Sequence, residues 1–231
     1  MSLVLHSHPL SSYCWKVLIA LYESGAPFTA AMVNFGGPAA KAAFAALWPT
    51  CKIPLLQDGA KVVPETSVQI EYLNRHCPAA RPLLPEDEAA QLDARLWDRL
   101  SDFYVMTPMQ RIVDDRMRPA DERDPRAVAE AQKTLTTAYG MIDRNMAGKT
   151  SAGKMWAAGD DFTIADCAAA PALFYAGIVF PFPADHTHLA AYFERLLKRE
   201  SVKRVVAEAR PFFQYFPFKD AMPRRFLEDA P

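Results

Sequence analysis

Apolar and polar residues at the start of the chain follow two periods in turn. The two-residue alternation typical of strands covers residues 3–5 and 28–35, and the three- and four-residue spacing typical of helices covers residues 12–24 between them. Gly25 ends the predicted helix, because glycine readily adopts the left-handed conformation that closes a helix. A helix between two strands predicts a crossover, and therefore a parallel strand pair.

A second group of elements completes this part of the chain. An alanine-rich stretch over residues 39–47 predicts a short helix, and two short strands flank Asp58 and Gly59, a dipeptide typical of hairpin turns. A further helix is predicted over residues 65–76. Because the hairpin adds an antiparallel pair to the parallel one, we expect a mixed sheet in an α/β domain with the element order βαβαββα over residues 1–78.

The pattern changes after this domain. Residues 79–88 carry prolines followed by acids, so we expect a linker that leads into a helix. Beyond it apolar residues recur at three- and four-residue spacing with no strand alternation, which is typical of a helical bundle. The last stretch is aromatic and broken by prolines, so it must pack on other elements. We therefore predict an all-helical C-terminal domain with an aromatic tail over residues 89–231.

Composition excludes several classes of function. The 231 residues include 26 basic and 27 acidic side chains, a net charge of −1, which argues against a nucleic-acid binder or a polybasic membrane anchor. No apolar run approaches the length of a membrane span, and the N-terminus lacks the features of a secretory signal. The 4 cysteines are scattered without metal-binding spacing, so we expect a cytoplasmic protein with no metal and no membrane partner.

The stretch SSYCWKV places hydroxyls, a phenol and a thiol where the first strand turns into a helix. A helix N-terminus stabilises an anion, because its first N–H groups have no acceptor inside the helix. A dithiol site would need a cysteine at the first position, where Ser11 stands, so Cys14 alone cannot carry dithiol chemistry. The Ser11 hydroxyl could instead donate to a thiolate that arrives with a ligand and so lower its pKa. The alternative is that Ser11 or Ser12 only caps the helix.

A second pair of stretches, KIPLL and ETS, is suited to holding a peptide-like ligand. Pro54 cannot donate to a sheet, so it belongs at an edge or in a cis turn that exposes the backbone of Ile53. At the start of the following helix, Thr66 can hold a carboxylate and Glu65 an ammonium, which together would recognise the head group of an α-amino acid. The alternative is an ordinary helix cap with an acid in the first turn.

Together these stretches resemble the glutathione S-transferase family. SSYCWKV follows the first strand, KIP carries its proline in the family's place, and PETSVQIEYL is similar to the family's glutamate–serine helix start, with Thr66 in the serine place. GDDFTIADCAAAPALF resembles the family's buried helix, for which Thr163 is expected as N-cap and Asp166 as its capping-box partner.

The resemblance implies a thioredoxin-like domain that binds glutathione, an all-helical domain that helps to form the second-substrate pocket, and a homodimer with a role in detoxification. It implies conjugation of the glutathione thiolate to a small hydrophobic electrophile, with glutathione as co-substrate or cofactor. The residues it assigns are Ser11 and Ser12 as catalytic hydroxyls, Lys52, Ile53, Pro54, Glu65 and Thr66 as glutathione contacts, and Tyr13, Tyr104, Met106, Met109 and Arg111 as the second-substrate pocket.

The class within the family stays open at the level of the motif. SSYCWKV is most similar to bacterial, serine-type members with a zeta- or theta-like motif, and the zeta pattern is Ser-Ser-Cys-x-Trp-Arg-Val. The chain departs from the family pattern at Tyr13, Lys16, Trp48 and Gln69. Three alternatives to conjugation follow: an isomerase that returns glutathione unchanged, a redox enzyme that uses Cys14, or a protein that binds glutathione without catalysis.

Overall fold

The computed structural model describes residues 3–34, 36–77 and 82–228. Within these ranges the N-terminal part consists of a small sheet and the helices that pack on it. Its elements are β1 (Leu3–Ser7), α1 (Ser12–Ser24), β2 (Phe28–Met32), α2 (Pro38–Leu47), β3 (Leu55–Asp58), β4 (Lys61–Val63) and α3 (Thr66–His76).

The sheet is mixed, as the element order predicts. Its strands lie in the order β2-β1-β3-β4, with β1 parallel to β2 and antiparallel to β3. Leu5 of β1 pairs with Ala30 on one side and with Leu56 on the other. β1 is therefore an inner strand with a partner on each side. Its C-terminal end leads into the turn before α1, where the candidate site lies.

The strand predicted over residues 28–35 is shorter in the structure, where β2 ends at Met32. One further backbone bond joins the Val33 N–H to the Ser7 carbonyl at 2.9 Å. The chain then turns, because the Asn34 side-chain oxygen accepts a hydrogen bond from the Gly36 N–H at 2.8 Å. Phe35, the last residue of the predicted strand, lies outside the described residues.

The C-terminal part is helical. Its elements are α4 (Glu88–Leu100), a π-helical segment (Ser101–Met106), α5 (Thr107–Met117), α6 (Pro125–Ser151), α7 (Ile164–Val179), α8 (Thr187–Leu197), α9 (Glu200–Ala209) and α10 (Arg224–Leu227), with short 3₁₀ turns at Ala120–Glu122, Arg210–Tyr215 and Lys219–Ala221. Of the predicted linker, residues 79–81 lie outside the described residues, residues 82–87 contain neither helix nor strand, and Glu88 already begins α4.

The aromatic tail packs against the junction between the two parts. Trp15 of α1 is buried, and its ring lies 4.8 Å from that of Phe174 and 6.5 Å from that of Phe213 in the tail, measured between centroids. Phe226, farther along the tail, packs on Phe174 at 4.6 Å. The tail therefore covers a core shared by α1 and α7, which accounts for its high aromatic content.

Helix α7 is the buried centre of the helical part, and a capping box fixes its start, as the sequence predicts. The Asp166 carboxylate accepts hydrogen bonds from the Thr163 N–H at 2.9 Å and from the Ala157 N–H at 3.1 Å. It also accepts one from the Tyr192 hydroxyl of α8 at 2.5 Å. One buried side chain thus joins the start of α7, the preceding loop and α8.

None of the helices in the described ranges combines the length and the apolar character needed to cross a lipid bilayer. The longest, α6, is rich in polar side chains along its exposed face.

We expect Asp166→Ala to lower the free energy of unfolding by about 3 kcal/mol or more, because it leaves two buried N–H groups and a buried hydroxyl without an acceptor, each at a cost of roughly 1–3 kcal/mol. Chemical denaturation at neutral pH measures the loss. Asp161→Ala is the matched control, since Asp161 is exposed just before the helix and should change stability by less than about 0.5 kcal/mol. Equal losses in the two variants would contradict the structural role of Asp166.

Candidate functional site

A cavity of about 710 Å³ lies between the sheet domain and the long helix that runs from α4 through the π segment into α5. Three stretches of the sheet domain and one face of the long helix form its walls. The residues that line it are Tyr13, Trp48, Cys51, Lys52, Ile53, Pro54, Glu65, Thr66, Arg99, Asp102, Phe103, Thr107, Gln110, Arg111, Asp114 and Arg118.

The structure brings many of the residues singled out by the sequence to this one cavity. All five expected glutathione contacts line it, as do two members of the expected second-substrate pocket. These residues are Lys52, Ile53, Pro54, Glu65, Thr66, Tyr13 and Arg111. They come from positions far apart in the chain, so their meeting depends on the fold and not on any single motif.

The KIP stretch enters the cavity at the start of β3. The Ile53–Pro54 peptide bond is cis, and the Gln69 side-chain amide donates a hydrogen bond to the Pro54 carbonyl at 2.8 Å. Gln69 is buried in α3, where the family pattern has an aliphatic residue. This hydrogen bond links the proline turn to the helix that begins at Thr66, and so holds two walls of the cavity in a fixed relative position.

The start of α3 carries an unusual backbone conformation. Glu65 has φ 66°, in the left-handed region that non-glycine residues seldom occupy. Its carboxylate makes no capping hydrogen bond to α3, and the side chain is exposed at the cavity. Such a backbone conformation costs energy and persists only where the surrounding structure imposes it, and residues of this kind concentrate at ligand sites.

The turn before α1 presents its three candidate side chains differently. The Ser11 Oγ accepts a hydrogen bond from the Cys14 N–H at 3.3 Å and so caps the helix. Ser12 is buried, and neither serine is among the residues that line the cavity. Tyr13 does line it, and its hydroxyl lies 3.4 Å from the Thr107 Oγ1. Because burial raises the pKa of the Tyr13 phenol, that group stays protonated and can donate a hydrogen bond.

Cys14 lies on the inner face of α1, away from the cavity. The thiol is fully buried, and burial raises its pKa to about 11. A reactive cysteine needs a lowered pKa and access to solvent. The redox alternative that uses Cys14 therefore has no support from the geometry.

Three residues assigned to the second-substrate pocket lie elsewhere. Met106 and Met109 are buried in the core, and Tyr104 is 54% exposed without lining the cavity. The reason is the rotation of the long helix, which turns Thr107, Gln110 and Arg111 toward the cavity and the two methionines toward the other helices.

A buried ion cluster underlies the cavity, and the sequence reasoning missed it. The Lys16 side chain is 0% exposed, and its Nζ lies 2.6 Å from Asp98 Oδ1 and 2.7 Å from Asp102 Oδ2. The same Nζ donates to Ser67 Oγ at 3.0 Å, and Ser67 in turn donates to Asp98 at 2.7 Å. The cluster thus joins α1, the first turn of α3, α4 and the π segment.

Arg99 and Asp102 extend the cluster into the cavity. The Arg99 guanidinium contacts Ser67, Asp98 and Asp102, and both Arg99 and Asp102 line the cavity. The Asp102 Oδ1 atom is buried and accepts no hydrogen bond from any described residue. Burial raises the pKa of this carboxyl, although the nearby Lys16 ammonium acts in the opposite direction.

The sequence did contain a signal for this cluster. Asp98 and Asp102 fall at helical spacing with the buried residues Ala94 and Val105, so two acids stand on the apolar face of the long helix. Acids in that position need a buried cation. Lys16 is the buried cation that pairs with both acids, and Arg99, which lines the cavity, contacts both of them as well. Within the described residues no group of three or more His, Cys, Asp or Glu side chains is arranged to hold a metal ion.

Models of known protein families match both the sheet-containing part and the helical part of the chain. The model of the glutathione S-transferase N-terminal domain matches residues 10–76, and that of the glutathione S-transferase C-terminal domain matches residues 101–200. The chain belongs to the glutathione S-transferase family. The cavity of this family member lies between the two matched regions, and residues from both line it.

Relatives of this glutathione S-transferase carry several different names. The chain is 28% identical to the stringent starvation protein A homolog of Coxiella burnetii over 90% of its own length and 92% of the relative's. It is 27% identical to the maleylacetoacetate isomerase of Rattus norvegicus, over 73% and 75% of the two chains. Among solved structures, a glutathione S-transferase from Methylobacterium radiotolerans in complex with glutathione sulfonate is 27% identical, with a TM-score of 0.75 over 89% and 94% of the chains.

We expect Lys16→Met to lower the free energy of unfolding by about 3–5 kcal/mol, because it leaves two buried carboxylates with Arg99 as their remaining cation. Denaturant unfolding at pH 7 measures the loss. Lys133→Met, on the exposed face of α6, is the matched control. Adding Asp102→Asn to Lys16→Met should restore part of the stability, since it removes one of the unpaired charges. If Lys16→Met lowered the free energy of unfolding by less than about 1 kcal/mol, the buried ion pairs with Asp98 and Asp102 would not have the expected stabilising role.

Proposed function

We propose that the protein binds glutathione in this cavity and transfers its thiolate sulfur to an electrophilic carbon. The observation that carries the proposal is the meeting of the Ile53–Pro54 turn, the Glu65–Thr66 helix start and the first turn of α1 at one cavity. These are the three contacts that a γ-glutamyl tripeptide with a central thiol requires.

The γ-glutamyl end would lie at the start of α3. The Thr66 hydroxyl and the N–H groups of the helix N-terminus suit its carboxylate, and the exposed Glu65 carboxylate suits its ammonium. Lys52, the first residue of the KIP stretch, also lines the cavity and would bind the glycine carboxylate. The glutathione sulfonate complex of the similar protein from Methylobacterium radiotolerans supports this use of the fold.

The thiol would lie at the N-terminus of α1. The helix end favours the thiolate over the thiol, because the first N–H groups of the helix have no acceptor inside it. Ser11 does not itself line the cavity, but it is the N-cap of the helix whose first turn does, through Tyr13. Its Oγ accepts the Cys14 N–H, and its own hydrogen would donate to a sulfur bound at this helix end. In the transfer step the thiolate attacks carbon, a carbon–sulfur bond forms, and the leaving group departs with the bonding electrons.

Isomerisation is a second candidate, and the similarity to the rat maleylacetoacetate isomerase favours it. In that reaction the glutathione thiolate would add to a carbon–carbon double bond, the bond would rotate as a single bond, and elimination would return the thiolate unchanged. Binding without catalysis is the remaining alternative. The homodimer and the cytoplasmic location implied by the family resemblance stay predictions.

We expect Ser11→Ala to raise the pKa of bound glutathione by about one to two units and to lower turnover at neutral pH roughly 10- to 100-fold, since a hydrogen bond to a charged group contributes about 1.5–3 kcal/mol. Glutathione affinity should change little, because the γ-glutamyl contacts remain. The thiolate absorbance of the complex as a function of pH gives the pKa.

Two matched variants separate the hydroxyls of this turn. Ser12→Ala and Tyr13→Phe each remove one hydroxyl, and we expect neither to reproduce the pKa change. Melting curves correct for the lost cap in Ser11→Ala, which costs about 1 kcal/mol. If Tyr13→Phe raises the thiol pKa and Ser11→Ala does not, the donor is Tyr13 and the assignment of Ser11 is wrong.

The fate of glutathione distinguishes conjugation from isomerisation. With aryl halides as electrophiles, we expect free thiol to disappear in step with the product, one molecule for each. With a cis-configured unsaturated acid as substrate, trans product without loss of thiol would assign the isomerase reaction instead. Glutathione binding with no product from either class would show that the protein does not catalyse these reactions.

A further inference from the structure

The wall of the cavity formed by α5 is polar along its whole length. Thr107, Gln110, Arg111 and Asp114 of α5 line the cavity, and so does Arg118, the residue just after the end of this helix. The apolar residues of the same helix face the core instead. A pocket for purely hydrophobic electrophiles would show the reverse arrangement on this wall, so the polar stripe needs an explanation in terms of the second substrate.

The charges on this stripe are not fully paired within the protein. Arg111 is exposed at the cavity and makes no ion pair with any described residue. Arg118 has a single long contact, in which its Nη1 lies 3.9 Å from Asp115 Oδ1. Asp114 already accepts a hydrogen bond from the Gln110 side chain at 3.0 Å. Two guanidinium groups are therefore available to a ligand in this compartment.

Glutathione would not use these two cations. Its γ-glutamyl end is assigned above to the start of α3 and its glycine carboxylate to Lys52, on the sheet side of the cavity. Arg111 and Arg118 line the helical side. The aromatic rings of Tyr13, Trp48 and Phe103 line the same cavity and offer apolar surface. The compartment thus combines aromatic surface with cationic groups suited to bidentate contact with a carboxylate.

We propose that the second substrate is an electrophile with an apolar body and a carboxylate, and that Arg111 and Arg118 bind this carboxylate. This inference rests on the proposed function, since it places the acceptor beside bound glutathione. It replaces the expectation of a purely hydrophobic electrophile, and it assigns Arg111 a role in specificity that the family resemblance does not supply.

Two glutathione conjugates that differ in a single charge test the inference without relying on turnover. S-(4-carboxybenzyl)glutathione carries the carboxylate, and S-(4-carbamoylbenzyl)glutathione is its neutral analogue of nearly equal shape. We expect the wild-type protein to bind the carboxylate conjugate about tenfold more tightly at low salt, as a charge-assisted hydrogen bond would give. The preference should shrink as salt rises, because the guanidinium groups are exposed.

Substitutions of the two arginines test whether they cause the preference for the carboxylate conjugate. In the double variant Arg111→Gln and Arg118→Gln, we expect the two conjugates to bind within about twofold of each other, while the affinity for the neutral conjugate is retained. Arg116→Gln is the matched control, because Arg116 is exposed on α5 but does not line the cavity. Isothermal titration calorimetry measures all affinities.

The outcomes separate this inference from the function on which it rests. If both conjugates bind the wild-type protein equally, the carboxylate site is wrong while the glutathione site stands. If Arg116→Gln abolishes the preference as fully as the double variant, the preference comes from overall charge, and the stripe is not the site. If neither conjugate nor S-benzylglutathione binds, both the proposed function and this inference fail.

Discussion

The buried contact between Lys16 and the carboxylates of Asp98 and Asp102 is the constraint on which the candidate site depends. Burying the Lys16 ammonium, whose side chain is 0% exposed, costs several kcal/mol in desolvation, and ion pairs with buried carboxylates offset this cost. Those carboxylates come from the long helix of the other domain, and Ser67 connects the same ammonium to the start of α3. The two parts of the chain cannot separate or slide at this point without leaving buried charges unpaired. The ion cluster therefore fixes the relative positions of the elements that surround the cavity.

The π-helical segment explains how one helix serves both the ion cluster and the cavity. The Thr107 N–H bonds to the Asp102 carbonyl, five residues earlier, and the Thr107 side chain donates to the same carbonyl at 2.9 Å. The wider turn changes which residues face the sheet domain before and after it. Asp102 contacts Lys16 and also lines the cavity, while Thr107, Gln110 and Arg111 line the cavity farther along. Segments of this kind are frequent at functional sites, and here the segment lies between the residues proposed to bind glutathione and those proposed to bind the second substrate.

Local signals made much of the fold predictable from sequence. The helix between two strands, the hairpin at Asp58 and Gly59, and the capping box at Thr163 each depend on neighbouring residues, and the structure has all three. Local chemistry also singled out Pro54 and Glu65, and both line the cavity; their contact with glutathione stays a prediction. On the long helix only Arg111 was predicted for the wall that it lines, because the facing residues depend on helix rotation and a regular helical period ignores the π segment. The family resemblance assigned Met106 and Met109 to the second-substrate pocket, although they are buried in the core.

The polar stripe and the ion cluster together bear on how this family member selects its substrate. Arg99 is held by Asp98 and Asp102, so it carries no excess charge into the cavity. Arg111 lies farther along the same helix and Arg118 just after its end, and neither forms an ion pair with Asp98 or Asp102. On the helical side of the cavity, the cations without a buried carboxylate partner thus lie beyond the π segment. A ligand that carries a carboxylate there would place its apolar body between the guanidinium groups and the N-terminus of α1. In the proposed complex this orientation would turn its reactive carbon toward the glutathione thiolate.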